Sequence, residues 1–139
     1  MTEGNKRENI REELERAAES LRSADLLSES RLHRDAVSRL YYLLFHTVRA
    51  LLLSEGLEPK THEGTLRQLG MHFVKQGILT PGDSHVFSRL MKYREEADYN
   101  PAYVFAESDY REFRKDAEEL CSKISRYLGE RGYLTKKGS

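Results

Sequence analysis

The sequence predicts an all-α protein: an antiparallel up-and-down four-helix bundle with one additional short helix. Three observations predict it. Apolar residues recur at alternating spacings of three and four along most of the chain, the repeat of a helix with one buried face. The only prolines are Pro59, Pro81 and Pro101, and they fall between the periodic stretches, where a missing backbone N–H costs no helical hydrogen bond. No stretch alternates apolar and polar residues as a half-buried strand does, and short connections between long helices favour antiparallel neighbours.

The first helix is expected over about residues 7–29, where Ile10, Leu14, Ala17, Leu21 and Ala24 form one stripe. The second, about 33–55, contains the most apolar segment, AVSRLYYLLFHTVRALLLSEG. Its length suits a largely buried helix, and Gly56 is placed to stop it. Thr61 is a candidate N-cap for a third helix, with Leu66, Leu69 and Phe73 on one side and Gly77 beyond. In TPGD, Thr80 is the next candidate N-cap, Pro81 takes the first helical position and Asp83 the first turn. This fourth helix carries Phe87, Leu90 and Met91, and should stop by Asn100, because a residue before proline avoids the helical region. PAYVF reads as a connector. The last helix, about 107–131, carries Tyr110, Phe113, Ala117, Leu120, Ile124 and Tyr127, and TKKGS at the end should fray. Residues 1–139 thus read as one domain with a core over about 8–130 and frayed tails at 1–6 and 133–139.

Composition narrows the function classes. With 38% hydrophobic and 33% charged residues, the chain is polar, as suits a small bundle with long solvated faces. The formal net charge is zero, so no general polyelectrolyte attraction to nucleic acid is expected, and any RNA contact must be local. A single cysteine, Cys121, excludes an internal disulfide and most cysteine-based metal sites, and a cytoplasmic location is expected. No apolar run is long enough to span a bilayer, and MTEGNKRENI does not read as a signal peptide. The five histidines show no H-E-x-x-H or H-x-x-E-H spacing, and there is no phosphate-cradling glycine-rich loop or nucleophile elbow. Neither a metal nor a cofactor is expected.

Polar residues stand where the core should be. Arg39, Tyr42, His46 and Arg49 fall at i, i+3, i+7 and i+10 of the second helix and share one face. That face is either a solvated stripe, with arginine stems covering their neighbours, or the lining of a cleft or subunit interface. In the second case His46 can take up or release a proton near neutral pH. His62 follows the N-cap Thr61, where free backbone N–H groups attract anions, although Glu63 in the same turn opposes this. In YREEADY, Arg94 and Asp98 lie one turn apart. An exposed i,i+4 ion pair contributes only about 0.3–0.5 kcal/mol, so the pair alone explains little. An arginine projecting into a cleft can bind phosphate bidentately. Arg94, Asp98 and His46 are therefore the candidate catalytic residues. Arg94, Asp98, Tyr99, Arg39, Tyr42, His46, Arg49 and His62 are the candidate phosphate-binding residues, with Tyr99 as a wall or stacking surface for a base.

The segments SRLYYLLFHTVRALL, PKTHEGTLRQLGMHFV and YREEADY, in this order and spacing, resemble the HEPN domains (higher eukaryotes and prokaryotes nucleotide-binding), and most closely their stand-alone prokaryotic branch. The resemblance runs over about residues 8–128. It implies an all-α up-and-down bundle, commonly a homodimer. It also implies either an RNA-cleaving toxin or a protein encoded beside a small nucleotidyltransferase that neutralises it. Active ribonuclease members carry Arg, then four to six residues, then His. Arg94 matches the arginine, but positions 99–101 are Tyr99, Asn100 and Pro101, so the histidine is absent. RNA cleavage without metal needs groups that move a proton from the 2′-hydroxyl and onto the leaving oxygen. Asp98 can accept a proton but is a poor donor near neutral pH, so cleavage would have to recruit His46 or His62 across the cleft. Three readings follow. The first is a dimeric module that binds a nucleotide or RNA phosphate and pairs with a nucleotidyltransferase. The second is a metal-independent endoribonuclease toxin. The third is a non-catalytic interaction bundle.

Overall fold

The computed structural model describes residues 2–134. Its elements are α1 (Glu3–Glu29), α2 (His33–Ser54), α3 (His62–Leu69) continued by a π-helical turn (Gly70–Val74), α4 (Pro81–Tyr99) and α5 (Glu107–Glu130). No strand occurs among the described residues. The side-chain contacts fix the directions. Lys6, at the start of α1, donates to the Ser54 carbonyl at the end of α2. Arg34, at the start of α2, reaches the end of α4, and Lys123 near the end of α5 pairs with Asp83 at the start of α4. The four long helices therefore run up, down, up and down, as expected for the antiparallel up-and-down bundle.

Helix α2 lies at the centre and packs against α1, α3, α4 and α5. Val37, Leu40, Leu44, Val48, Leu51 and Leu52 are fully buried. The predicted stripes of the surrounding helices close over it: Ile10, Ala17 and Ala24 from α1, Phe87, Leu90 and Met91 from α4, and Tyr110, Phe113, Ala117, Leu120 and Ile124 from α5. At the end of α5, Leu128 is buried and Tyr127 only half-buried, edge-on to Phe73. Asp25 of α1 ties the first turns of α5 to the core. Its carboxylate accepts from Tyr110 Oη and from Arg114, and Arg114 above all holds its pKa below the usual value.

Most boundaries fall where capping chemistry places them. Thr80 and Asp83 form a reciprocal capping box with Pro81 at the first helical position, and Thr61 accepts from Gly64 N–H. Helix α1, by contrast, begins at Glu3, not at about residue 7. Thr2 caps it by accepting from Asn5 N–H, and Lys6 and Arg7 lie over the Tyr133 ring while Arg7 donates to the Gly132 carbonyl. The two chain ends thus brace each other through polar and cation–π contacts, which hydrophobic periodicity does not register. TKKGS lies outside the described residues.

The end of α4 is secured from outside the helix. Arg34 Nη1 donates to the carbonyls of Glu96 (3.2 Å), Ala97 (2.9 Å) and Asn100 (2.8 Å), and Nη2 to those of Pro101 and Tyr103. Pro101 prevents α4 from continuing, so the Ala97 carbonyl has no backbone donor among the described residues, while those of Glu96 and Asn100 also accept from Asn100 N–H and Tyr103 N–H. The guanidinium supplies donors and a positive charge at the negative end of the helix dipole. Arg34→Ala should lower stability by about 1.5–3 kcal/mol, since charge-assisted bonds are lost and the Ala97 carbonyl is left without a donor. Urea unfolding of both proteins measures this; a loss within about 0.5 kcal/mol, the range of an ordinary surface substitution, would show that water serves those carbonyls equally well.

Candidate functional site

Three helices converge beside the middle of α2. Tyr41 is completely buried, and its ring stacks on Phe87 with centroids 5.8 Å apart and planes 2° from parallel. From α4, the Arg94 guanidinium carbon lies 5.3 Å from the Tyr41 centroid and 6.0 Å from that of Tyr42, within cation–π range. From the start of α3, His62 Nδ1 stands 2.5 Å from Tyr41 Oη, and the imidazole stacks on Phe45 at 4.5 Å. Tyr41 thus connects the arginine of α4 to the histidine of α3.

The electrostatics follow from this packing. Burial pushes the Tyr41 phenol well above its usual pKa, with Arg94 acting in the opposite direction, so it is a neutral hydroxyl at physiological pH. Burial also lowers the pKa of His62, and the charges of Arg94 and Arg49 lower it further. The Arg94 side chain is 11% exposed, yet its only ion pair among the described residues is a long 3.4 Å contact from Nη1 to Asp98. Its Nε is buried with no hydrogen-bond partner. Most of the guanidinium's donor capacity is therefore unused among the described residues.

The stripe on α2 divides in two. Arg39 lies over the Tyr42 ring at 4.7 Å and borders the cluster. His46 and Arg49 share Glu13 of α1, at 3.4 and 3.1 Å, while His46 also meets the Phe45 ring edge-on and Arg49 lies over it; Arg49 also donates to the Pro59 carbonyl. Burial raises the Glu13 pKa, but His46 and Arg49 together outweigh that and leave it lowered. All four side chains of the stripe are half-buried. Asp98 tethers Arg94, whereas Tyr99 is 75% exposed and lies outside the aromatic cluster. Of the candidates read from sequence, the structure brings together Arg94, Asp98, Tyr42, Arg39 and His62; it seats His46 and Arg49 on Glu13, at the Phe45 edge of the cluster. Tyr41 and Phe45 join the cluster without having been singled out. Only the doubled tyrosine of YYLLF hints at Tyr41, because its partner His62 is 21 positions away.

No group of three or more His, Cys, Asp or Glu side chains is placed to hold a metal ion among the described residues. The cluster offers hydrogen-bond donors, the guanidinium charges of Arg94 and Arg39, and aromatic faces.

A model of the HEPN domain matches residues 10–127. The chain belongs to the HEPN family. Two similar proteins of Methanocaldococcus jannaschii each bear the name "Putative toxin": one is 37% identical over 89% of this chain and 92% of its own length, the other 30% identical over 87% and 82%. A UPF0332 protein of Gloeobacter violaceus is 39% identical over 83% of this chain and 86% of its own. No histidine follows Arg94 in the sequence, and the histidine that meets Tyr41 is His62, delivered by α3. No helix among the described residues is long and apolar enough to cross a membrane.

The position of His62 gives a pH dependence. Its folded pKa lies below its ordinary value of 6.5, so between the two values the unfolded chain binds more protons. The stability it contributes is complete above about pH 6.5 and is lost as pH falls through the lowered folded value. Melting curves from pH 8 to pH 5 should show wild type losing stability relative to His62→Gln across that window. Parallel curves would mean that the imidazole protonates as freely in the folded protein as in the unfolded one.

Proposed function

We propose that this HEPN protein binds the phosphate of a nucleotide or RNA strand at the Arg94 cluster, and that it is a toxin-like protein paired with a nucleotidyltransferase. The observation that carries the reading is the guanidinium of Arg94, largely withdrawn from water, laid on two tyrosine rings, and only weakly engaged by Asp98. An arginine needed only for stability would be expected to saturate its donors inside the fold. Tyr42, with Arg39 over its face, extends the same surface toward a base or ribose. The names of the two archaeal relatives support the toxin-like part, and the family resemblance supports the partner, which inspection of the adjacent gene tests.

Arg94→Ala should weaken binding of nucleotides and short RNA by about 1.5–3 kcal/mol, the range for a charge-assisted hydrogen bond, with the helical content unchanged. Calorimetric titration of both proteins decides it, and equal affinities would return Arg94 to a structural role.

A second reading, metal-independent RNA cleavage, draws on His62, an imidazole beside Arg94 in the absence of the family's histidine. Incubation of RNA with wild type and Arg94→Ala distinguishes it: cleavage by wild type alone establishes an endoribonuclease.

The protein is further proposed to pair with a second copy. The large apolar side chains of Leu32 at the α1–α2 turn and Val104 in the α4–α5 connector are 49% and 81% exposed and border one depression. Sedimentation at micromolar concentration should give a dimer, and a monomer alone would remove this proposal.

A further inference from the structure

The contact between Tyr41 and His62 determines which imidazole nitrogen carries the proton. Tyr41 is fully buried, and its hydroxyl has one partner, His62 Nδ1, among the described residues. If Nδ1 carried a hydrogen and donated it, the phenolic proton would have no acceptor, and a buried unsatisfied donor costs about 1–3 kcal/mol. If the phenol donates instead, both groups are satisfied and the imidazole proton sits on Nε2. A doubly protonated ring meets the same conflict at Nδ1, and it also meets the positive charges of Arg94 and Arg49, against which only Glu63 and Glu95 act in its favour.

Neither His62 Nε2 nor Arg94 Nη2 makes a hydrogen bond within the described residues, and both side chains are half-buried, not enclosed. Two donors without partners among the described residues therefore flank Tyr41. We propose that His62, a neutral imidazole held in its Nε2–H form by Tyr41, is the second anion donor of the Arg94 site, and that the two together hold the single negative charge of an RNA phosphodiester. The proposal rests on the reading of Arg94 as a phosphate-binding residue.

The surrounding charges select the ligand. Arg49 already shares Glu13, Arg94 faces Asp98, and Glu63 and Glu95 lie close enough to act on both His62 and Tyr41. A phosphodiester brings one negative charge into this rim, whereas a nucleoside triphosphate brings several and meets the carboxylates. An Nε2–H imidazole also has no lone pair to offer a 2′-hydroxyl, so His62 binds the strand and does not act as the base that would cut it.

Two measurements on the full chain test this. Long-range proton–nitrogen spectra of the labelled histidine rings should show an Nε2–H tautomer for the signal missing from His62→Gln, and Tyr41→Phe should release that preference. An Nδ1–H or charged ring at neutral pH in wild type would overturn the assignment. In titrations with short unstructured RNA, His62→Ala should lose about tenfold in affinity, while His62→Gln, whose amide N–H replaces the Nε2 donor, should stay within about threefold of wild type. Both variants remove the acceptor of Tyr41, so the difference between them isolates the outward donor. Equal losses, tighter binding of ATP than of RNA, or RNA cleavage that depends on His62 would each overturn the proposal. An Nε2–H signal in a wild type that binds no RNA would locate the failure in the Arg94 reading, and the ligand assignment would fall with it.

Discussion

Helix α2 is enclosed by the other helices, and that enclosure governs where polar chemistry can exist in this protein. A polar group on a buried helix must find a partner inside the fold or lose the hydrogen bonds it made with water. The polar side chains of α2 meet this demand in different ways. Arg34 turns to the open end of α4, His46 and Arg49 share a carboxylate from α1, and Tyr41 reaches the imidazole of α3. Each solution draws a second helix toward α2. Polar pairing and apolar packing therefore define the same arrangement.

Arg94 differs from these because its demand is met only in part. The i,i+4 contact with Asp98 is long, and Nε has no acceptor. The faces of Tyr41 and Tyr42 compensate for lost hydration through the attraction of a cation to an aromatic ring, without using the N–H groups. Such an arrangement holds the guanidinium in position and leaves donors available to a ligand. Its placement depends on two supports: the Tyr41 ring, fixed by stacking on Phe87, and the last turn of α4, fixed by Arg34. The α4 turn that bears Arg94 and Asp98 thus cannot shift freely against the helix that bears the tyrosines.

Membership of the HEPN family and the local chemistry describe the site at different scales. The family relates the bundle to other proteins. Where this chain has Tyr99, Asn100 and Pro101, Arg94 has no histidine following it in sequence. The packing of α3 brings His62 to the neighbouring tyrosine instead. A histidine from another helix is held differently from one on the same helix: its orientation follows the loop before α3, its cap Thr61 and the rings of Phe45 and Tyr41.

The sequence by itself determined the all-α class, the number and order of the helices and nearly all of the core. These follow from local rules: spacing selects the buried face, and Thr80, Pro81 and the Asn100–Pro101 step mark where helices begin and end. The same rules placed Arg94, Asp98, Tyr42 and His62 among the candidates, because each is a polar residue at a position with a recognisable local setting. The start of α1 was not legible, since Lys6 and Arg7 are held there by Tyr133 and Gly132 at the far end of the chain. Nor was the division of the α2 stripe. Arg39, Tyr42, His46 and Arg49 share a face in any helix, but which of them meets α4 and which meets Glu13 depends on how three helices pack around it. Tyr41 was hidden for the same reason: adjacent to Tyr42 in sequence, it points into the core, and the single hydroxyl that makes it part of the site is defined only by a histidine that tertiary structure delivers.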